Sequence, residues 1–168
     1  RLVEQLLQLA RLEADMAATR APDSRRGQAD LAAAAAHQVH ELATQAGRRG
    51  QQMALDRPPH AVAVPMSGPL LAVLLRNLID NALRYGVPPT SEPQRVTVAL
   101  AREARGVALS VLDNGPGIAE PQRRQLVERW AQGREGERLG QGAGLGLGIV
   151  ARYAELLGAP LELGPGPG

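Results

Sequence analysis

Apolar and polar positions follow two periods along this chain, and the changes between them mark out its elements. Arg1–Thr19 carries Leu2, Leu6, Leu9, Leu12 and Met16, a narrow seam at helical spacing of the kind that packs on a partner helix. Arg20–Gln28 has no periodicity and contains Pro22 and Gly27, so it reads as a linker. Asp30 is a candidate N-cap for a second helix with Leu31, Ala35, Val39, Leu42 and Ala46 on its buried face and Gly47 at its end. Gln51–Asp56 and His60–Val64 are predicted strands, with Pro58 and Pro59 in the turn between them. Leu70–Gly86 (LLAVLLRNLIDNALRYG) is the strongest helix, with Leu71, Leu74, Leu78 and Ala82 as its apolar stripe.

The period then switches to two. Val96, Val98 and Leu100 alternate within Arg95–Arg102, and Val107, Leu109 and Val111 alternate within Val107–Leu112, which predicts a hairpin turning at Glu103–Gly106. A polar stretch, Ala119–Gly142, reads as a short helix followed by a mobile loop. Ile149–Leu157 is a last helix, and Leu161–Leu163 is expected to start a strand. No internal repeat is visible.

Composition narrows the chemistry. The chain has 168 residues, enough for one domain with a real core, and that core must be aliphatic, since there is no Phe, one Trp and two Tyr. All 19 basic residues are Arg, which excludes the lysine-dependent P-loop and any lysine nucleophile. A net charge of +2, with no basic tract interleaved with aromatics, disfavours nucleic acid as a partner. Without cysteine there is no disulfide framework, thiolate nucleophile or zinc cluster. No apolar run has membrane-spanning length. The chain opens on Arg1 and is expected to be a piece of a longer protein.

Candidate chemistry begins on the Leu70–Gly86 helix, where Asn77, Asn81 and Arg84 form a second stripe with Tyr85 beside it. Amide oxygens suit a magnesium ion and arginine suits phosphate, whereas the plainer role of such asparagines is to solvate a helix surface. Asp113 follows a strand and precedes Gly115 and Gly117. A carboxylate there can accept from an exocyclic amine while the glycines admit a base close to the backbone, although DNG alone is also an ordinary turn. Gly142, Gly144, Gly146 and Gly148 alternate just before a helix, whose N-terminus offers free N–H groups to phosphates.

Taken in order, RNLIDNALRYG, DNGPGI, an arginine-rich stretch and GAGLGLGIV form a specific series. It resembles the catalytic ATP-binding domain of sensor histidine kinases of two-component systems, within the superfamily that includes DNA gyrase and the mismatch-repair ATPases. The resemblance implies an α/β two-layer sandwich of Bergerat type, a mixed β-sheet with helices on one face, preceded by the remnant of a dimerisation helix. Residues 1–20 would end the second helix of the dimerisation and phosphoacceptor domain, 21–29 would be linker, and 30–168 the catalytic ATP-binding domain with its ATP lid at 119–142. By match to the motifs, Asn81 would hold Mg2+. Asn77, at the catalytic position, and Arg84 would bind phosphate, and Tyr85 would pack on adenine. Asp113 would read the adenine amine in a pocket shaped by Gly115, Gly117 and Ile118. Gly142, Gly144 and Gly146, with Leu145 and Leu147 between them, would close around the phosphates.

Gyrase-like members carry a glutamate base four residues before the metal-binding asparagine. Here that position is Asn77, and an amide cannot take a proton from water. Transfer of the γ-phosphoryl group to a histidine of the dimerisation domain, for relay to a response regulator aspartate, is therefore expected rather than hydrolysis. His40 imitates an acceptor motif (HELATQ) but lacks its Arg and Pro and follows the first helix, so the acceptor is expected outside this chain. In the lid, VERWAQG puts Gln132 where the family has an arginine, and Arg134 is the expected substitute. The resemblance further implies a homodimer anchored in a bacterial inner membrane, with this portion cytoplasmic. A serine kinase of the anti-sigma class and a nucleotide-sensing module without catalysis are the rival readings.

Overall fold

The computed structural model describes residues 28–104, 106–131 and 144–164. Their elements are β1 (Ala29–Asp30), α1 (Leu31–Gly47), β2 (Gln52–Asp56), β3 (Ala63–Val64), α2 (Gly68–Tyr85), β4 (Arg95–Glu103), β5 (Gly106–Asp113), α3 (Glu120–Ala131) and α4 (Gly144–Leu157). The seam at 1–20, the linker up to residue 27 and the second half of the lid lie outside the described residues.

Two sheets form. β2, β4 and β5 make a mixed three-stranded sheet, with β2 parallel to β4 (Gln52 opposite Arg95) and β4 antiparallel to β5 (Val96 opposite Asp113). β1 pairs antiparallel with β3, Ala29 opposite Val64. The alternation along β4 buries Val96, Val98 and Leu100 on one face while Arg95 and Ala101 stay exposed. Against that face lie Leu31, Ala35 and Leu42 of α1, Leu71, Leu75 and Ile79 of α2, and Ile149 and Tyr153 of α4. The expected α/β layering, a mixed sheet with helices packed into one core, is what the chain adopts.

Several expectations change in detail. The fully buried stripe of α2 is Leu71, Leu75, Ile79 and Ala82, and Leu74 and Leu78 are only half-buried. The helix must meet α1 and α4 as well as the sheet, so its buried face is wider and turned from the seam that spacing suggested. The two proline-flanked strands do not pair with each other. β2 takes β4 as a parallel partner, and the His60–Val64 strand shrinks to Ala63–Val64 because Val62 is bonded elsewhere: its N–H donates to Asp30 Oδ1 at 2.9 Å and its carbonyl accepts from Leu31 N at 2.8 Å. Leu161–Gly164 forms no strand, and α4 begins at Gly144, five residues before Ile149.

Asp30 does more than cap α1. Its Oδ1 accepts from Ala32 N (3.0 Å) and Ala33 N (3.3 Å) as well as from Val62 N, which ties the start of α1 to the β3 segment. The hydrogen bond from Val62 leads the effects that hold its carboxyl below the usual value; the Ala33 and Ala32 amides and nearby Arg57 assist, against a smaller opposing desolvation effect.

Candidate functional site

Helix α2 organises the site. Pro69 in its first turn preorganises the start, and apolar residues bind one face to the core, which leaves the Asn77–Asn81 stripe turned toward α4. Asn77 is half-buried, and its Nδ2 donates to Val73 O one turn back at 2.8 Å. Asn81 is also half-buried, and its Nδ2 is fully shielded with no hydrogen-bond partner. A shielded amide with unspent capacity is costly unless something else satisfies it.

The glycine-rich segment meets these amides. Gly146, buried in the first turn of α4, sits close against both amides: a Cβ there would lie 3.3 Å from Asn77 Oδ1, 3.3 Å from Asn81 Nδ2 and 3.4 Å from Asn81 Oδ1, near enough to displace them by a few tenths of an ångström. Two segments more than sixty residues apart thus place two amides beside a helix N-terminus, where unpaired N–H groups and the positive dipole end favour anions.

A second close approach lies at the C-terminal end of α2. Asp113 ends β5, and its Oδ1 accepts from Gly115 N at 2.9 Å. A Cβ on Gly115 would lie 2.5 Å from Gly86 Cα, and one on Gly86 would overlap the Asp113 side chain. These glycines permit the strand end and the helix end to touch. Gly117 turns in the left-handed region (φ 69°), and Ile118 behind it is half-buried. Tyr85 is 44% exposed, and the Arg84 guanidinium carbon stands 6.0 Å from its ring centroid. Arg84 itself is exposed.

Of the remaining expected site residues, Gly144 opens α4, Leu145 follows it on the same turn, and Leu147 is half-buried. Gly142 lies outside the described residues, as do Gln132 and Arg134 of the lid. His40 falls on α1 and is exposed. Sequence reasoning passed over Asn114 and Gln94. Asn114 Oδ1 accepts from Arg95 N at 2.7 Å and its Nδ2 donates to Pro93 O at 3.1 Å, fastening the start of β4 beside Asp113. Gln94 is the buried polar side chain at that strand start. Asn114 lies within DNGPGI without a role of its own assigned there and Gln94 lies in no motif, so only the long-range hydrogen bonds reveal what each of them holds.

Among the described residues no group of three or more His, Cys, Asp or Glu side chains could hold a metal ion. The Asn81 side-chain oxygen is a single hard donor, compatible with a cation such as magnesium whose other ligands come from elsewhere.

Comparison with known proteins bears out the fold and the family. The family model for histidine kinase-, DNA gyrase B- and HSP90-like ATPases matches residues 67–168, which include α2, the Asp113 turn and α4. The probable sensor histidine kinase TcrY of Mycobacterium tuberculosis is 34% identical over 170 residues, covering 100% of this chain and 33% of the relative. Two of the similar solved structures illustrate the match. Full-length ShkA in complex with AMPPNP has a TM-score of 0.67 at 26% identity, over 98% of this chain and 33% of that one. The cytoplasmic segment of histidine kinase QseC has a TM-score of 0.56 at 27% identity, over 94% and 74%. The chain spans about a third of the length of curated relatives such as TcrY and the sensor protein kinase PmrB of Pseudomonas aeruginosa. With a mixed sheet under three helices, paired asparagines on the central one and a glycine-opened helix against them, the chain belongs to the histidine kinase-, DNA gyrase B- and HSP90-like ATPase family and is homologous to the catalytic ATP-binding domains of sensor histidine kinases.

Proposed function

We propose that this chain binds Mg-ATP along α2 and presents the γ-phosphoryl group to a histidine of a dimerisation domain, from which it passes to an aspartate of a response regulator. The observation that carries this reading is the meeting of Gly146 with the Asn77 and Asn81 amides at the N-terminus of α4. In this reading Asp113 and the backbone around Gly115, Gly117 and Ile118 take the adenine, with Tyr85 packed on its face. Arg84, Asn77 and the N–H groups from Gly144 to Leu147, preceded by Gly142, take the phosphates. Asn81 holds the magnesium ion, whose charge offsets that gathering on the phosphates during transfer.

Phosphoryl transfer is favoured over hydrolysis at the residue that would have to be a base. Asn77 has no proton-accepting group of the needed strength, and its Nδ2 is already committed to Val73 O. An imidazole attacks without such help, so the phosphorus–oxygen bond to ADP breaks as the nitrogen–phosphorus bond forms. Residues 1–20 would supply the end of the dimerisation helix, and Arg134 would stand in for the lid arginine missing at Gln132. The intact protein would be a membrane-anchored homodimer with this portion in the cytoplasm.

Calorimetry with Mg-ATP on this chain, on Asn81→Ala and on Asp113→Ala tests the assignment. Each variant should bind at least about tenfold more weakly, roughly the worth of one charge-assisted or metal contact. Wild-type binding with neither variant impaired would remove the site assignment.

A further inference from the structure

The last turn of α2 is closed in an unusual way. Helices often end with a left-handed glycine that returns N–H groups to the final carbonyls. Here the C-cap is Gly86, with φ −80° and ψ 33°, and its N–H returns to Ala82 O at 2.8 Å. Glycine is required there for the contact with Asp113 and Gly115, not for a left-handed turn.

Two side-chain amides do the closing instead. Gln94, 7% exposed, donates from Nε2 to Ala82 O at 2.9 Å and Leu83 O at 3.1 Å. Gln51 Nε2 donates to Leu83 O at 2.9 Å and to Gln94 Oε1 at 2.7 Å. The backbone around Gln94 is held in turn, since Gln94 O accepts from Gln52 N at 2.8 Å and Asn114 grips Pro93 and Arg95 on the far side. The contacts form a closed ring that runs from the end of α2 through Gln94 to Asn114, then to Asp113, and back to Gly86. Gln94 is bonded through both Nε2 and Oε1, whereas Gln51 Oε1 is shielded without a partner, so the geometry is fixed chiefly at Gln94, more tightly than by an apolar residue of the same volume.

We propose that Gln94, braced by Gln51, is a positioning residue for base recognition. It holds Tyr85 and Gly86 at a set distance from Asp113, so that the wall facing the base is formed before the nucleotide arrives. The inference rests on the reading of this site as the ATP pocket. It predicts an effect on affinity that is transmitted through Asp113 and is separate from any effect on folding.

A double-mutant cycle on Mg-ATP affinity tests it, with circular dichroism to keep every measurement on folded protein. Gln94→Met keeps the volume and removes both donors. It should weaken Mg-ATP binding by about tenfold in the wild-type background and by less than about twofold when Asp113 is already alanine. Two results overturn the proposal: unchanged affinity in Gln94→Met, or losses that simply add, since a residue that only supports the fold weakens both backgrounds alike. If Gln94→Met does not fold, Gln51→Met leaves the bonds from Gln94 to Ala82 and Leu83 in place. The same non-additive pattern is expected from it in smaller size, and additivity there is equally fatal. Failure of the wild type to bind Mg-ATP would strike the pocket reading itself, a result distinct from either of these.

Discussion

Gly146 shows how much a single hydrogen in place of a methyl group decides at this site. Within a helix, glycine to alanine ordinarily gains about 1 kcal/mol of stability. Here the added methyl would press on both asparagine amides at 3.3 Å. Gly146→Ala should therefore leave the melting temperature unchanged or raised while lowering Mg-ATP affinity several-fold, an opposition that paired melting and calorimetry would reveal. Asn81 adds a related lesson. Its amide type was legible as a ligand from the sequence, but its shielded, partnerless Nδ2 became visible only once α4 was packed against it. Gln94 was not legible at all, because its partners are the backbone carbonyls of residues eleven and twelve positions earlier.

At the scale of elements, α2 separates the pattern that sequence suggests from the one that packing selects. Leu74 and Leu75 are adjacent and chemically identical, yet Leu75 has no exposure and Leu74 is half-buried. Leu75→Ala should cost about 2–5 kcal/mol and Leu74→Ala clearly less, as measured by urea unfolding of the two variants. The start of α1 supplies a prediction in pH. Asp30 has its carboxyl held below the ordinary value of about 3.9, chiefly by the Val62 amide, so its charged form stabilises the fold. That contribution is complete above the unfolded-state value and fades as pH falls through the lower folded-state value. The difference in melting temperature between wild type and Asp30→Ala should hold steady from neutral pH down to about 5 and shrink below about 4. A gap that widened on acidification would contradict the assigned sign.

At the scale of the whole molecule, the site is a seam between segments rather than a property of any one of them. Asn77 and Asn81 sit on α2, the glycine-opened N-terminus that meets them belongs to α4, and Asp113 arrives on β5 through a strand pair whose register sets Asp113 opposite Val96. A ligand that touches all three should couple them. Saturating Mg-ATP, at about a hundred times its dissociation constant, should raise stability by about 2.7 kcal/mol, and a chelator should remove most of the gain. A melting temperature indifferent to Mg-ATP would mean that the nucleotide does not join these segments.

The sequence by itself determined the period of each main element, the Asp30 cap, the hairpin of β4 and β5, and the motif series that carries the family. Those features are local: side-chain spacing, capping chemistry and glycine placement act within a few residues of one another. Only the tertiary structure decided which leucines of α2 are buried, that β2 pairs with β4, and that Ala29 and Asp30 pair with Val64 and Ala63. The same holds for the closure of α2 by Gln51 and Gln94. Each of these depends on a partner distant in the chain, and periodicity reports that a face is apolar without saying what will cover it.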